Sequence, residues 1–267
     1  MLRFSGAGVS DVGRVRPHNE DAGFVGPYVA LVADGVGGAA AGEIASATAA
    51  YAVSATALAH FLEPPELVLS EAADAARAAV RYGVQRDLDR LGMATTLTVL
   101  VCDGSRVVLG HVGDSRAYRW RDGALRQLST DHTYVQHLVD TGQITREAAA
   151  RHPWRNVVLR SVDGDPEGPG LDLVPVPTRP GDRLLLCSDG LTDLVDEARI
   201  SQVLQLSDPL SAAAVLTQSA LVAGGRDNIT CIVLDVVEGP LVVGDGQLLG
   251  ALVDVANVVD AAAVRLR

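Results

Sequence analysis

Five acidic motifs carry the chemistry this sequence is equipped to do. Val32-Ala33-Asp34-Gly35, Gly113-Asp114-Ser115-Arg116 and Cys187-Ser188-Asp189-Gly190 each place an aspartate where an apolar run stops. Arg226-Asp227-Asn228 stands just before such a run, and Asn19-Glu20-Asp21 precedes one that begins near Phe24. Taken singly, Asp before Gly is ordinary turn chemistry, because Gly permits positive φ and the Asp side chain caps the loop. Ordinary turns do not place an acid beside an apolar run in every case. If the run ends converge, the carboxylates crowd one cleft, and like charges so close ionise together only when cations neutralise them. With oxygen as the donor, the expected cations are hard ones, Mg2+ or Mn2+. A carboxylate shared by two such ions holds them about 3.5–4 Å apart, the spacing suited to in-line attack of water on a phosphoryl group. Gly35 serves twice, by allowing the turn and by letting its carbonyl approach a water of the metal. Arg16, four residues before Glu20, offers a guanidinium that clamps phosphate oxygens in pairs, which suits a phosphomonoester.

Positioning those acids requires strands that end together and helices that cover them. Residues 24–28 and 29–33 read as two strands around Gly26-Pro27, the second ending at Asp34. From 42 to 62 the apolar residues Ile44, Ala47, Tyr51, Ala55, Leu58 and Leu62 recur at helical spacing. Pro64-Pro65 stops that helix and opens the next, over roughly 66–91. Its one side carries Ala73, Ala76, Val80, Val84 and Leu91, and its other a solvated face of Arg77, Arg81, Arg86 and Arg90. Strand texture follows at 95–102, 106–112, 116–121 and 125–128, with hairpin signals at Asp103-Gly104 and Asp122-Gly123. Residues 131–170 are irregular and partly helical, with Asp163-Gly164-Asp165-Pro166 and Gly168-Pro169-Gly170 as loops. Strands at 171–176 and 183–188, a helix at 209–222 and a strand at 228–237 complete the pattern, which predicts antiparallel sheets covered by helices. Gly239-Pro240 ends the last strand. The tail, 239–267, is apolar with acids at 245, 254 and 260, and is expected to pack on the domain rather than bind a partner.

Composition removes several alternatives. The chain has 267 residues and a net charge of −11, and all 22 of its cations are arginine. Without lysine there is no Schiff base, no lysine general base and no phosphate loop of the G-K-[ST] type. An excess of acids argues against a nucleic-acid partner. Aromatic residues make up only 4%, so the core must be Ala, Val and Leu. Cys102, Cys187 and Cys231 lie in apolar runs with no C-x-x-C spacing and read as buried free thiols of a reducing compartment. The histidines are scattered and support no zinc site. No signal-peptide core or membrane-length apolar run is visible, so the expected state is cytoplasmic, away from membranes, and monomeric.

Arg16-x-x-Asn19-Glu20-Asp21, Ala33-Asp34-Gly35-x-Gly37-Gly38, Thr95-Thr96-Leu97, Gly113-Asp114-Ser115-Arg116, Ser188-Asp189-Gly190-Leu191-Thr192-Asp193 and Asp227-Asn228 resemble, in this order, the metal-dependent (type 2C) serine/threonine protein phosphatases. The likeness covers roughly residues 5–237. The stretch from Asp131-His132-Thr133 to His152-Pro153-x-Arg155-Asn156-Val157 resembles the mobile flap of bacterial members that oppose serine/threonine kinases. The resemblance implies an α+β fold: a four-layer αββα sandwich of two mainly antiparallel sheets flanked by helices, over residues 1–238. It implies two Mn2+ or Mg2+ ions, with a third in bacterial relatives. Asp34 would bridge the core pair, Asp189 and Asp227 would complete one ion, and the Gly35 carbonyl would serve the other. Glu20 would act through water and Asp21 would support the shell. Asp114, Asp189 and Asp193 would hold the third ion, and Arg16 would bind the substrate phosphate. The implied reaction is hydrolysis of phosphoserine and phosphothreonine by a hydroxide bridging two ions, with no covalent intermediate. The implied partners are phosphoproteins, among them a serine/threonine kinase and its substrates.

Two positions depart from the family pattern. Several animal relatives carry histidine after the Asp-Gly pair as a proposed general acid, where this chain has Val36. A water of the third ion is then the favoured proton donor, ahead of His132. Ala94 replaces a frequent Gly and keeps the position small. A cysteine phosphatase is excluded, since no Cys has Arg six residues on. A pseudophosphatase that docks phosphoproteins without turnover would lack a metal ligand, and none is missing. A partner-switching phosphatase would share the chemistry with a narrower substrate.

Overall fold

The computed structural model describes residues 1–36, 41–168, 170–244 and 246–259. Gly37 and Gly38 of the glycine motif, Pro169 of the loop signal, and the tail acids 245 and 260 lie outside the described residues. Two antiparallel sheets form the centre. The first runs β1 (Leu2–Asp11), β11 (Ile229–Glu238), β10 (Arg183–Cys187), β7 (Arg116–Arg121), β8 (Ala124–Gln127). The second runs β12 (Gln247–Gly250), β2 (Asp21–Val25), β3 (Val29–Val36), β5 (Leu97–Cys102), β6 (Val107–Val112), β9 (Asp172–Val176), with β4 (Ala94–Thr95) paired to β3. Helices α1 (Gly42–Ala59) and α2 (Pro65–Arg86) cover the second sheet. Helices α5 (Asp189–Thr192), α6 (Glu197–Val203) and α7 (Pro209–Val222) cover the first. The four-layer αββα sandwich expected from the resemblance is the fold observed.

Period-two alternation separates the layers. On β3, Ala30 and Val32 point between the sheets, while Val29, Leu31 and Ala33 meet the helices. On β11, Ile232, Leu234 and Val236 face inward, while Ile229, Cys231 and Val233 meet the α7 layer. A strand buried on both faces reads as a continuous apolar run, which is why these strands were legible and why their acids end at a boundary. The three cysteines are free and buried.

Helix α1 corrects one expectation. Its buried positions are small, including Ala45, Ala49, Ala52, Val53 and Thr56, whereas Leu58 and Leu62, placed on the apolar face by spacing, are exposed. Small side chains let the helix axis approach the sheet and α2 closely, so volume rather than hydrophobicity selects its inner face. Arg77 likewise leaves the expected solvated face and donates to the carbonyl of Gly168 at 2.8 Å. Strand β1 was not foreseen, nor was α6. β1 pairs with β11 along its whole length, from Leu2 opposite Glu238 to Asp11 opposite Ile229. The tail packs on the domain: Gln247–Gly250 add an edge strand to β2, and the turn at Ala251–Val253 buries Ala251 and Leu252. No helix among the described residues is long and apolar enough to cross a membrane.

Candidate active site

The acidic motifs meet at one edge of the sandwich. Asp34 sits inside β3 rather than after it, directly opposite Asp21 on β2. The gap between β4 and β5 grips its backbone. The Asp34 N–H donates to Thr96 Oγ1 at 2.9 Å, and its carbonyl accepts from Thr95 Oγ1 at 2.9 Å and from the Thr96 N–H at 2.8 Å. The same edge receives Asp114 from the turn between β6 and β7, Asp189 from the end of β10 and Asp227 from the approach to β11. A Cβ on Gly190 would strike the carbonyl of Asn228, so glycine is what lets the Asp189 turn close on the Asp227 segment. A Cβ on Gly35 would likewise strike the backbone of Gly42, which brings the start of α1 against the site.

Asn228 sets the loop that carries Arg16 and Glu20. Its Oδ1 accepts from the Glu20 N–H at 2.8 Å, and its Nδ2 donates to the carbonyls of Val12 and His18 at 2.9 Å each. The pocket so formed has a volume of about 150 Å³ and is walled by Arg16, Glu20, Asp34, Gly35, Val36, Asp114, Asp189 and Asp227, with Asn156 and Val158 arriving from the 131–170 segment. Arg16 is not free at its mouth: its Nη2 donates to Asp227 Oδ2 at 2.8 Å. That bond raises the guanidinium's pKa, outweighing the lowering caused by partial burial. Asp193 is exposed at the end of α5 and touches Asn156 at 3.3 Å and Arg155 at 3.6 Å.

Burial and mutual repulsion dominate the electrostatics. Burial first, then the charges of Asp21, Asp189, Asp114 and Asp227, push the Asp34 carboxyl well above its ordinary range. Asp189 is pushed up by burial and then by Asp114, Asp193, Asp227 and Asp21. Burial lifts Asp114 to about 7, with Asp131 adding to it. Asp21 is lifted by burial to about 6, although hydroxyls of Thr230 and Ser188 oppose the rise by donating to its Oδ2, each at 2.7 Å. Burial also raises Glu20. The other Asp21 oxygen, Oδ1, is buried with no partner, a costly arrangement for an isolated protein group.

This donor set fits hard divalent cations. Every donor is oxygen, and positive charge would relieve the burial and mutual repulsion that raise the pKa values of Asp34, Asp114 and Asp189. Among the described residues no three acids converge as a ready chelate.

His132 lies outside the pocket. Its Nδ1 accepts from the Gly113 N–H at 3.1 Å, and Nε2 meets Asp172 at 3.0 Å and Arg160 at 2.8 Å, so it braces the root of the 131–170 segment. Ser188, Thr230, Asn228 and Asn156 were not singled out from sequence. The first, third and fourth lie within motifs that were, and hydroxyl or amide groups beside the acids were the available signal.

A protein phosphatase 2C model matches residues 18–221. The serine/threonine protein phosphatase PstP of Mycobacterium tuberculosis is 43% identical over 243 residues, covering 89% of this chain and 46% of the relative. This chain therefore spans about half the length of the first such relatives. The serine/threonine phosphatase stp of Listeria welshimeri is 38% identical, covering 85% of this chain and 93% of the relative. A solved structure of the catalytic domain of PstP in complex with two manganese ions superposes with a TM-score of 0.80 at 40% identity, covering 89% of this chain and all of that one.

Proposed function

The chain belongs to the protein phosphatase 2C family, and from that premise we propose that it is a metal-dependent phosphoprotein phosphatase acting on phosphoserine and phosphothreonine. The observation that carries the reading is the crowding of Asp34, Asp189 and Asp227 in one pocket beneath Arg16. Asp34 is assigned to both core Mn2+ or Mg2+ ions, Asp189 and Asp227 to one of them, and the Gly35 carbonyl with Glu20 through water to the other. Asp21 supports this shell from behind, and Asp114, Asp189 and Asp193 are assigned to a third ion. Bound there, such ions supply Lewis acidity, which lowers the pKa of water and neutralises phosphoryl charge.

The chain's own residues do the positioning. The Thr95-Thr96 grip fixes the Asp34 backbone, and Ser188 with Thr230 holds Asp21 behind it. Asn228 fixes the loop from which Arg16 reaches the mouth. There the guanidinium exchanges Asp227 for two phosphoryl oxygens, which aims the ester oxygen outward along the line of attack. Residues 1–238 are read as the catalytic unit, with Gln247–Gly250 completing its second sheet. The substrates are phosphoproteins, including a serine/threonine kinase that it opposes.

Phosphate release from a phosphothreonine peptide is expected to require Mn2+ or Mg2+, to stop on chelation, and to fall at least about 100-fold in Asp34→Asn or Asp227→Asn. Full activity after chelation or in either variant would refute the assignment. Release from an autophosphorylated bacterial kinase, set against a phosphorylated anti-sigma antagonist, separates the kinase-opposing role from partner switching.

A further inference from the structure

A second cavity, of about 370 Å³, opens beside the phosphate pocket and shares Asp114, Asn156 and Asp189 with it. Its outer wall comes from the 131–170 segment, where α3 (Tyr134–Asp140) contributes Val135, Gln136 and Val139, α4 (Arg146–Ala149) contributes Arg146, and the turn after α4 contributes Arg155. A peptide whose phosphorylated residue fills the pocket lays a flanking residue in this groove, because successive residues of an extended chain advance only about 3.3 Å.

The charge balance of the groove decides what that residue should be. Asp114, Asp189 and Asp193 are assigned above to the ions. Asp131 is consumed by Arg116, whose Nε and Nη2 donate to it at 2.6–3.0 Å. What is left is Arg146 and Arg155 against Glu197. Arg155 reaches Asp193 only at 3.6 Å. The exposed Arg146 guanidinium makes no hydrogen bond or ion pair among the described residues. Thr145 caps α4 by accepting from the Ala148 N–H, which fixes the backbone of Arg146 at the start of this single helical turn. An exposed arginine whose charge is felt by the neighbouring Glu147, on the wall of a groove leading from the reacting centre, is poised for an anion.

We propose that Arg146 is a specificity-determining residue, and that the groove recognises an anionic group, carboxylate or phosphate, on a residue flanking the phosphoserine or phosphothreonine. This rests on the phosphatase reading and extends it to the substrate's sequence. The test compares kcat/KM for phosphothreonine peptides that carry, on either side of the scissile residue, alanine, lysine, glutamate or a non-hydrolysable phosphonate analogue of phosphothreonine. The glutamate and phosphonate arms separate the two sources of negative charge. Each rate is divided by that enzyme's rate on p-nitrophenyl phosphate, which does not extend into the groove.

The wild type is expected to favour an anionic flank over alanine by about five-fold, the scale of a part-exposed ion pair, with the preference shrinking as salt rises. Arg146→Ala should abolish the preference, and Arg146→Glu should turn it toward lysine, since Glu197 then has an acidic companion. No anionic preference in the wild type, or one that survives Arg146→Glu, overturns the proposal while leaving the phosphatase intact. If Mn2+-loaded enzyme releases no phosphate from any peptide or from p-nitrophenyl phosphate, the phosphatase reading itself fails and the groove assignment with it.

Discussion

Acidification should weaken the fold through one histidine. His111 on β6 is 1% exposed, between Thr98 Oγ1 on its Nδ1 and the Thr130 carbonyl on its Nε2, each at 3.0 Å. A carbonyl only accepts, so Nε2 carries a ring proton, and burial disfavours a second one on Nδ1. Burial, then the ring of His132 at a centroid distance of 5.0 Å, depresses its pKa from 6.5 to about 4, against the opposing charges of Asp131 and Asp172. The unfolded chain therefore binds this proton first as pH falls. The contribution of His111 is intact above its unfolded pKa and is lost between there and the folded one. Linkage over that shift gives a loss of about 2 kcal/mol from pH 7 to pH 5, and about 3 kcal/mol by pH 4. The raised carboxyls of the site move in the opposite direction, so the wild type alone does not isolate the effect. His111→Gln keeps an amide donor for Thr130 and removes the titration. Urea unfolding of both proteins at pH 7, 6, 5 and 4, at fixed Mn2+, should show the stability difference between them shifting by those amounts in favour of the variant. A difference that stays flat from pH 7 to pH 5 would mean the ring is not held neutral by burial.

Two further outcomes test how the site is held. Ser188→Ala combined with Thr230→Val strips both donors from buried Asp21 Oδ2, and should lower unfolding free energy by about 2–5 kcal/mol at neutral pH, measured by urea titration. Asp21→Asn in that background should recover part of the loss, and failure to do so would show that the charge is not what is left unsatisfied. Gly190→Ala drives a methyl into the Asn228 carbonyl, so Mn2+ affinity by calorimetry should fall at least about ten-fold while far-ultraviolet circular dichroism keeps its sheet signal. Wild-type affinity in that variant would refute the claim that the two acidic segments are locked together there.

The acids were legible because each is a local signal: a charged residue against an apolar run that both faces of a strand bury. Asp34, Asp114, Asp189 and Asp227 needed only that contrast, and Arg16 with Glu20 followed from their spacing. Relations between distant segments were not legible. β1 has glycines at 6 and 8 that weaken its strand texture, and its identity rests on ten partners in β11, more than two hundred residues away. The inner face of α1 escaped because periodicity weighs hydrophobicity, whereas the packing there selects for smallness. The Arg16–Asp227 contact could not be read because motif order says which side chains meet but not which pair off. Asn228 illustrates the remainder: its motif was visible, but its three bonds to the opposite end of the chain were not.

The pairing of Leu2–Asp11 with Ile229–Glu238 has a consequence for biosynthesis. During translation the first strand emerges long before its neighbour, and Asp227 leaves the ribosome only after nearly the whole domain has been made. Such remote closure is slow, because loop entropy must be overcome before any contact rewards it. A nascent chain cut before Asp227 therefore cannot complete the acidic pocket, which is assembled only once these two distant strands have met.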